Sequence, residues 1–359
     1  MRKIFKTLTI VFILSLQIFG KNNIPLNNPY IFYDGIWFVQ KSVEKVVFNR
    51  HTEEVLLNPE SGISAYSRPY AYTQTGVKIR FKTKSRNIYF SFENREGSGK
   101  AGLHNGFTVY ADGKKYKIYE TLNFTITFPK PDTQSVLYEV VLPSLNGVNL
   151  TNMSLDDNSN LEQIDSLNKP VLAVIGTSIS HGTGQQSSSP NTYPFILAEN
   201  MGWELVNLAV AGAYTGWPMA QLVKKQRVDY IIVELGFNDW MWDDKPLSVK
   251  DLQYNRLIDT LRANQKNAKI ICITPIVTAK KVAQKKVDFS LDDYREMVCN
   301  IVEDHKNKGD KNIFVIHGES LTSVAMLDDG VHLSVNGANE FAKKLTNKLN
   351  EIINSNELK

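Results

Sequence analysis

Lys169-Pro170-Val171-Leu172-Ala173-Val174-Ile175-Gly176-Thr177-Ser178-Ile179-Ser180 is the stretch on which the fold turns. Residues 170–175 form a nearly continuous apolar run, which a parallel strand covered on both faces requires. A strand with one wet face would alternate instead. The run ends at a glycine followed by small hydroxyl residues, a composition suited to a sharp strand-to-helix turn.

Downstream the pattern repeats. Apolar spacing predicts a helix over 192–201, a strand over 204–210, a helix over 218–226 and a strand over 228–235. A helix over 248–264, a strand over 268–274, a helix over 291–306 and a strand over 312–316 follow, and an amphipathic helix over 336–353 closes the chain. Five strands separated by helices predict a three-layer α/β domain with a five-stranded parallel sheet over 169–359, with sites at the carboxyl ends of its strands.

Upstream the chain has another character. Short β-rich runs at 76–83, 87–93, 106–111, 116–119, 123–128 and 136–142 alternate with turn residues. Asp112-Gly113 and Asn146-Gly147 carry hairpin chemistry. This predicts an all-β sandwich or jelly-roll-like domain over 28–153. The polar stretch 154–168, built around Asp156-Asp157-Asn158-Ser159-Asn160, reads as a linker.

The first twenty residues read as a secretion signal. Arg2, Lys3 and Lys6 precede an apolar segment over 8–19 that closes at Gly20. The segment is short for a bilayer span, which needs about 20 apolar residues. Its cleavage would leave no stable membrane anchor and place the protein in the periplasm or outside the cell. The net charge of +4 includes those three cations, and no dense basic stripe occurs elsewhere, which argues against a nucleic-acid partner. At 359 residues with 42% apolar content the chain has material for two ordinary cores. Cys272 and Cys299 lie in apolar periodic surroundings and read as buried free thiols. The six histidines show no metal-ligand spacing, so no metal and no cofactor are expected.

Four segments fall at or after the predicted strand ends. Gly176-Thr177-Ser178-Ile179-Ser180 lets a serine hydroxyl sit above the sheet edge, although a plain helix N-cap has the same composition. It is no phosphate loop, since 176–184 holds no lysine, and no GxSxG elbow, since Ser180 stands where the second glycine belongs. The second segment, 207–212, ends at Gly212, where a backbone N–H can approach a ligand oxygen; a helix-entry glycine would look alike. In Gly236-Phe237-Asn238-Asp239, Asn238 offers an amide donor, or simply a turn. In Asp329-Gly330-Val331-His332 the carboxylate can bond one imidazole nitrogen and leave the other free as a base, although a surface histidine beside an acid is also ordinary.

Together, in this order and in one domain, the four segments resemble the SGNH hydrolase superfamily, also called GDSL esterases, over about 170–353. The resemblance implies Ser178 as nucleophile, His332 as general base and Asp329 as its orienter. It implies an oxyanion hole of the Ser178 N–H, the Gly212 N–H and the Asn238 amide. Thr177 departs from the family pattern, which puts an aspartate there. The run Thr177-Ser178-Ile179-Ser180-His181-Gly182 also resembles a two-domain secreted branch whose N-terminal β-sandwich carries Gly-x-Asp-Leu-Tyr; here Gly106-Phe107-Thr108-Val109-Tyr110 keeps only the Gly and Tyr. That branch is similar to carbohydrate acetylesterases, which implies an acylated carbohydrate as substrate. Trp240 and Trp242 suit stacking on sugar rings or packing of a loop, and His181 suits a substrate contact or a structural cap. Other readings are a carbohydrate-binding protein without catalysis and a lipase of the same superfamily for lipid or short-chain esters.

Overall fold

A computed structural model describes residues 20–99, 106–131, 133–280 and 287–357. The segment read as a secretion signal lies outside these, Gly20 excepted. Its second domain holds a parallel sheet of β1 (Val171–Gly176), β2 (Glu204–Asn207), β3 (Tyr230–Glu234), β4 (Lys269–Ile273) and β5 (Ile313–Ile316) in the order β2-β1-β3-β4-β5. Alternation along β1 explains its apolar run. Leu172 and Val174 join a core with Tyr193 and Leu197 of α1 (Tyr193–Met201). Ala173 and Ile175 join the opposite core with Leu257 and Leu261 of α2 (Leu247–Asn264) and Val298 and Ile301 of α3 (Leu291–Asn307). The closing helix α4 (Val335–Glu357) packs Phe341 and Leu345 on the α1 side. Neither sheet face meets water, so both parities of the strand must be apolar.

The N-terminal region is a β-sandwich of two six-stranded sheets with antiparallel pairing. One sheet is centred on Val148–Asp156 and Asn87–Asn94, the other on Lys78–Thr83 and Val136–Val141. An aromatic core of Phe81, Phe90, Phe92, Phe107, Phe124 and Tyr138 fills the space between them. Asp112 and Gly113, at φ 47° and 75°, join Phe107–Ala111 to Lys114–Tyr119 as a tight hairpin.

Several boundaries differ from the sequence reading. Asn146-Gly147 is not a hairpin: it carries the chain from Val136–Val141 in one sheet to Val148–Asp156 in the other. The sandwich begins earlier than residue 28, because Lys21–Asn23 pairs with Val148–Asp156. The polar linker over 154–168 is partly sheet: one strand runs on to Asp156, and Leu161–Glu162 pairs with Thr83 and Lys82. Its polar residues still make ordered contacts, as when the Asp156 carboxylate accepts the Asn87 backbone N–H at 2.8 Å. Composition reports solvent exposure, and an edge strand can be polar and still be paired. Residues 217–223 form a 3₁₀ segment rather than an α-helix, with Pro218 near its start. Cys272 is buried, whereas Cys299 is half-buried; both are free thiols.

Two short helices of the N-terminal region, Glu53–Leu57 and Arg68–Ala71, leave the sandwich and pack against the α/β domain. Val55, Leu56, Ile63 and Ala71 share the core that holds Ile175, Val206 and Leu235. This segment brings N-terminal side chains to the carboxyl ends of β1 and β2.

Candidate active site

Ser178 opens the short helix Ser178–His181, directly after β1. Thr177 caps it, its hydroxyl oxygen accepting the Ile179 N–H at 3.3 Å. A side chain at Gly176 would put its Cβ 2.6 Å from the Ser180 hydroxyl oxygen, so only glycine allows this tight turn. The helix ends at Gly182, whose φ of 113° suits glycine.

His332 arrives from a turn 154 residues away, its Nε2 2.8 Å from Ser178 Oγ. His332 Nδ1 stands 2.8 Å from Asp329 Oδ2. Asp329 Oδ1 accepts the backbone N–H groups of Val331 and His332, each at 2.9 Å. Partial burial alone would raise the Asp329 pKa, but those N–H donors and the imidazole overcome it and pull it down to about 2. The carboxylate therefore stays charged and fixes the ring so that Nδ1 carries its proton and Nε2 faces the serine oxygen. The turn itself is pinned, since the Gly330 carbonyl accepts the Ala279 N–H at 2.8 Å.

Gly212, Asn238 and Ser178 border one cavity of about 670 Å³ with His332. Gly212 has φ 80°, and the N–H groups of Gly212 and Ser178 donate to no acceptor among the described residues. Asn238 donates one Nδ2 hydrogen to the Ala213 carbonyl at 2.8 Å, which ties it to the Gly212 loop and leaves its second hydrogen free. Asp239 serves as an anchor beneath it. Its buried carboxylate meets Lys250 Nζ at 2.8 Å and accepts the Thr215 N–H at 3.1 Å.

Two expected substrate contacts are corrected. His181 is fully buried and does not reach the cavity; its Nδ1 accepts the Ala211 N–H at 3.0 Å and its Nε2 lies 2.8 Å from the Ser144 carbonyl. Burial, with Arg50 nearby, holds its pKa well below the ordinary value, so it is the neutral ring that orients the residue before Gly212. Trp240 is 7% exposed and packs edge-on against Phe237, so it is core; Trp242 is 64% exposed and lines the cavity. Helical geometry sends residues two apart to different sides, which spacing from Asn238 alone did not resolve.

The sequence reading missed the rest of the cavity wall. Tyr66, Tyr70 and Leu145 come from the N-terminal region and Tyr214 from the loop after Gly212. It also missed Glu234, a fully buried carboxyl at the end of β3. Its Oε2 accepts the Thr177 hydroxyl at 2.9 Å, the Ser180 hydroxyl at 2.9 Å and the Thr177 N–H at 3.2 Å. Burial pushes the Glu234 pKa up to about 7 against those donors. The available signal was a carboxylate ending the otherwise apolar run Tyr230-Ile231-Ile232-Val233-Glu234. Thr177, the departure from the family pattern, thus anchors the serine turn to β3.

Residues 174–339 match the family model described as the GDSL-like lipase/acylhydrolase family. No curated protein matches the chain in sequence. Among solved structures the chain is similar to the salicylyl-acyltransferase SsfX3 from a tetracycline biosynthetic pathway. That match has a TM-score of 0.74 at 19% identity and covers 90% of this chain and 95% of that one. A family two carbohydrate esterase from Clostridium thermocellum, in complex with cellohexaose, gives a TM-score of 0.62 at 16% identity, covering 90% and 99%. An acetyl xylan esterase from the rumen bacterium Butyrivibrio proteoclasticus gives 0.59 at 14%, covering 79% and 92%. The GDSL resemblance read from the four segments is therefore matched by a family model over 174–339, and the fold of the chain by those solved structures.

Proposed function

We propose that the chain is a secreted serine esterase that removes small acyl groups, acetyl foremost, from carbohydrate through an acyl-enzyme. The observation that carries this reading is the run of 2.8 Å contacts from Ser178 through His332 to Asp329 at the edge of a cavity that also holds the Gly212 and Asn238 donors.

In this reading His332 Nε2 takes the Ser178 proton as Oγ attacks the ester carbonyl carbon. The charge that develops on the carbonyl oxygen meets the N–H of Ser178, the N–H of Gly212 and the free Nδ2 hydrogen of Asn238. Collapse expels the alcohol, which takes its proton from His332. Water, deprotonated by the same imidazole, then attacks the acyl-enzyme, releasing the acid and Ser178. The aromatic wall of Tyr66, Tyr70, Tyr214 and Trp242 supports a sugar substrate, since ring faces stack on pyranose C–H surfaces while the rims stay wet. The carbohydrate esterases among the structural neighbours support the same substrate class. Secretion rests on the basic and apolar character of residues 1–20.

Hydrolysis of p-nitrophenyl acetate by the wild type and by Ser178→Ala tests the reading. The substitution should remove turnover, and equal rates would leave only a carbohydrate-binding role. A series of p-nitrophenyl esters fixes the acyl group: acetate best supports deacetylation, octanoate best points to a lipase. Release of acetate from acetylated xylo- or cello-oligosaccharides then tests the sugar.

A further inference from the structure

Arg50 follows the sandwich strand Val46–Asn49 and is 1% exposed. Its guanidinium spends four of its N–H bonds on backbone carbonyls: Nε on Thr73 at 2.6 Å, Nη2 on Tyr70 at 2.8 Å, and Nη1 on both Asn207 and Ala209 at 2.8 Å. No carboxylate pairs with it among the described residues. Burial lowers its pKa only to about 9, so it remains a cation at neutral pH. The next residue continues the pattern, His51 Nε2 lying 2.9 Å from the Leu208 carbonyl. Two consecutive residues of the N-terminal region thus occupy three consecutive carbonyls, 207 to 209, at the end of β2. Ala211 and Gly212 follow, with the Ala211 N–H held by His181 and Gly212 bordering the cavity, its N–H without an acceptor among the described residues. On its other side Arg50 holds Tyr70, which lines that cavity.

An uncompensated buried cation is costly, and carbonyl dipoles repay it only if they stay aligned on it. The same alignment fixes the backbone that enters the Gly212 turn. We propose that Arg50 is a positioning residue for the oxyanion site: from the sandwich side it locks the β2 exit that presents the Gly212 N–H, and the Tyr70 wall opposite. The esterase activity then depends on a side chain outside the α/β domain. Lysine at this position would keep the charge but not the planar fork that reaches four carbonyls in different directions. This inference rests on the esterase reading above.

The test uses the full chain with Arg50→Met and Arg50→Lys. Active serines are counted by titration with a fluorophosphonate, so that kcat on p-nitrophenyl acetate is expressed per reactive site and misfolded protein drops out. Arg50→Met should lose about 10²-fold in kcat per titrated site, the scale of one displaced oxyanion donor, with KM within about threefold. Inhibition by methylboronic acid, whose serine adduct carries the anionic oxygen, should weaken by a similar factor. Arg50→Lys should recover part of both. If Arg50→Met does not fold, Arg50→Lys decides alone, with about a tenfold loss per site expected. Per-site kcat and boronate affinity equal to the wild type in the folded variants would overturn the positioning role while leaving the esterase standing. A wild type that neither titrates nor turns over would overturn both.

Discussion

Among the described residues no cation pairs with the Glu234 carboxyl, which is met by hydroxyls and backbone N–H groups of the serine turn. Its pKa near 7, against an ordinary 4.5, means the fold holds a proton that the unfolded chain releases between those values. The associated stability is complete below about pH 4.5 and is lost as pH rises toward 7. Glu234→Gln should therefore flatten the decline in melting temperature across that window, and calorimetry at several pH values checks it. A slope unchanged in the variant would show that Glu234 is not the group responsible. Asp329, held near 2 by its N–H donors and the imidazole, stays ionised throughout that window. The two tryptophans also separate here. Trp240→Ala should cost about 3–5 kcal/mol of stability by emptying a core site. Trp242→Ala should change stability by less than about 0.5 kcal/mol and raise KM on acetylated oligosaccharides. Denaturant melts and steady-state kinetics on both variants decide it.

At the scale of elements, strand ends deliver the chemistry and short turns aim it. β1 delivers Ser178, β2 leads to Gly212, β3 leads to Asn238, and the turn before α4 carries Asp329 and His332. The turn after β3 has the least freedom. Gly236 has φ 119°, and a Cβ there would lie 2.3 Å from the Tyr294 ring of α3. Gly236→Ala should both destabilise the fold, by about 1–3 kcal/mol, and shift the Phe237–Trp242 helix that carries Asn238. Its kcat loss should therefore exceed that of any equally destabilised core variant distant from the site. Comparing kcat with unfolding free energy across such a set is the measurement. Parallel loss in all variants would reduce Gly236 to a packing residue.

Across the whole molecule, the sandwich keeps an aromatic core of its own, while the segment over 53–71 joins a core of the α/β domain and both regions line one cavity. Val55, Leu56, Ile63 and Ala71 pack into the α/β core, and Tyr66, Tyr70 and Leu145 complete the site wall. A fragment of residues 163–359 would expose that apolar contact and lose the wall. It should lack both a cooperative thermal transition and p-nitrophenyl acetate turnover, which circular dichroism and the ester assay report. An active, cooperatively melting fragment would show the two domains to be independent.

The order and spacing of apolar residues were enough to specify a β-rich half, an α/β half and four polar segments at strand ends. Periodicity encodes which faces of an element must be dry, and a parallel strand buried on both sides leaves a plain mark in the chain. The resemblance to the SGNH hydrolases added the roles of those segments. Tertiary structure decided what depends on contacts between distant residues: the 154-residue reach from Ser178 to His332, the 157-residue reach from Arg50 to Asn207, and the division of labour between Trp240 and Trp242. A local pattern carries no term for a carbonyl or a ring supplied from the other domain, so the polar linker that is partly sheet, the buried His181 and the shared cavity wall emerged only when the chain closed on itself.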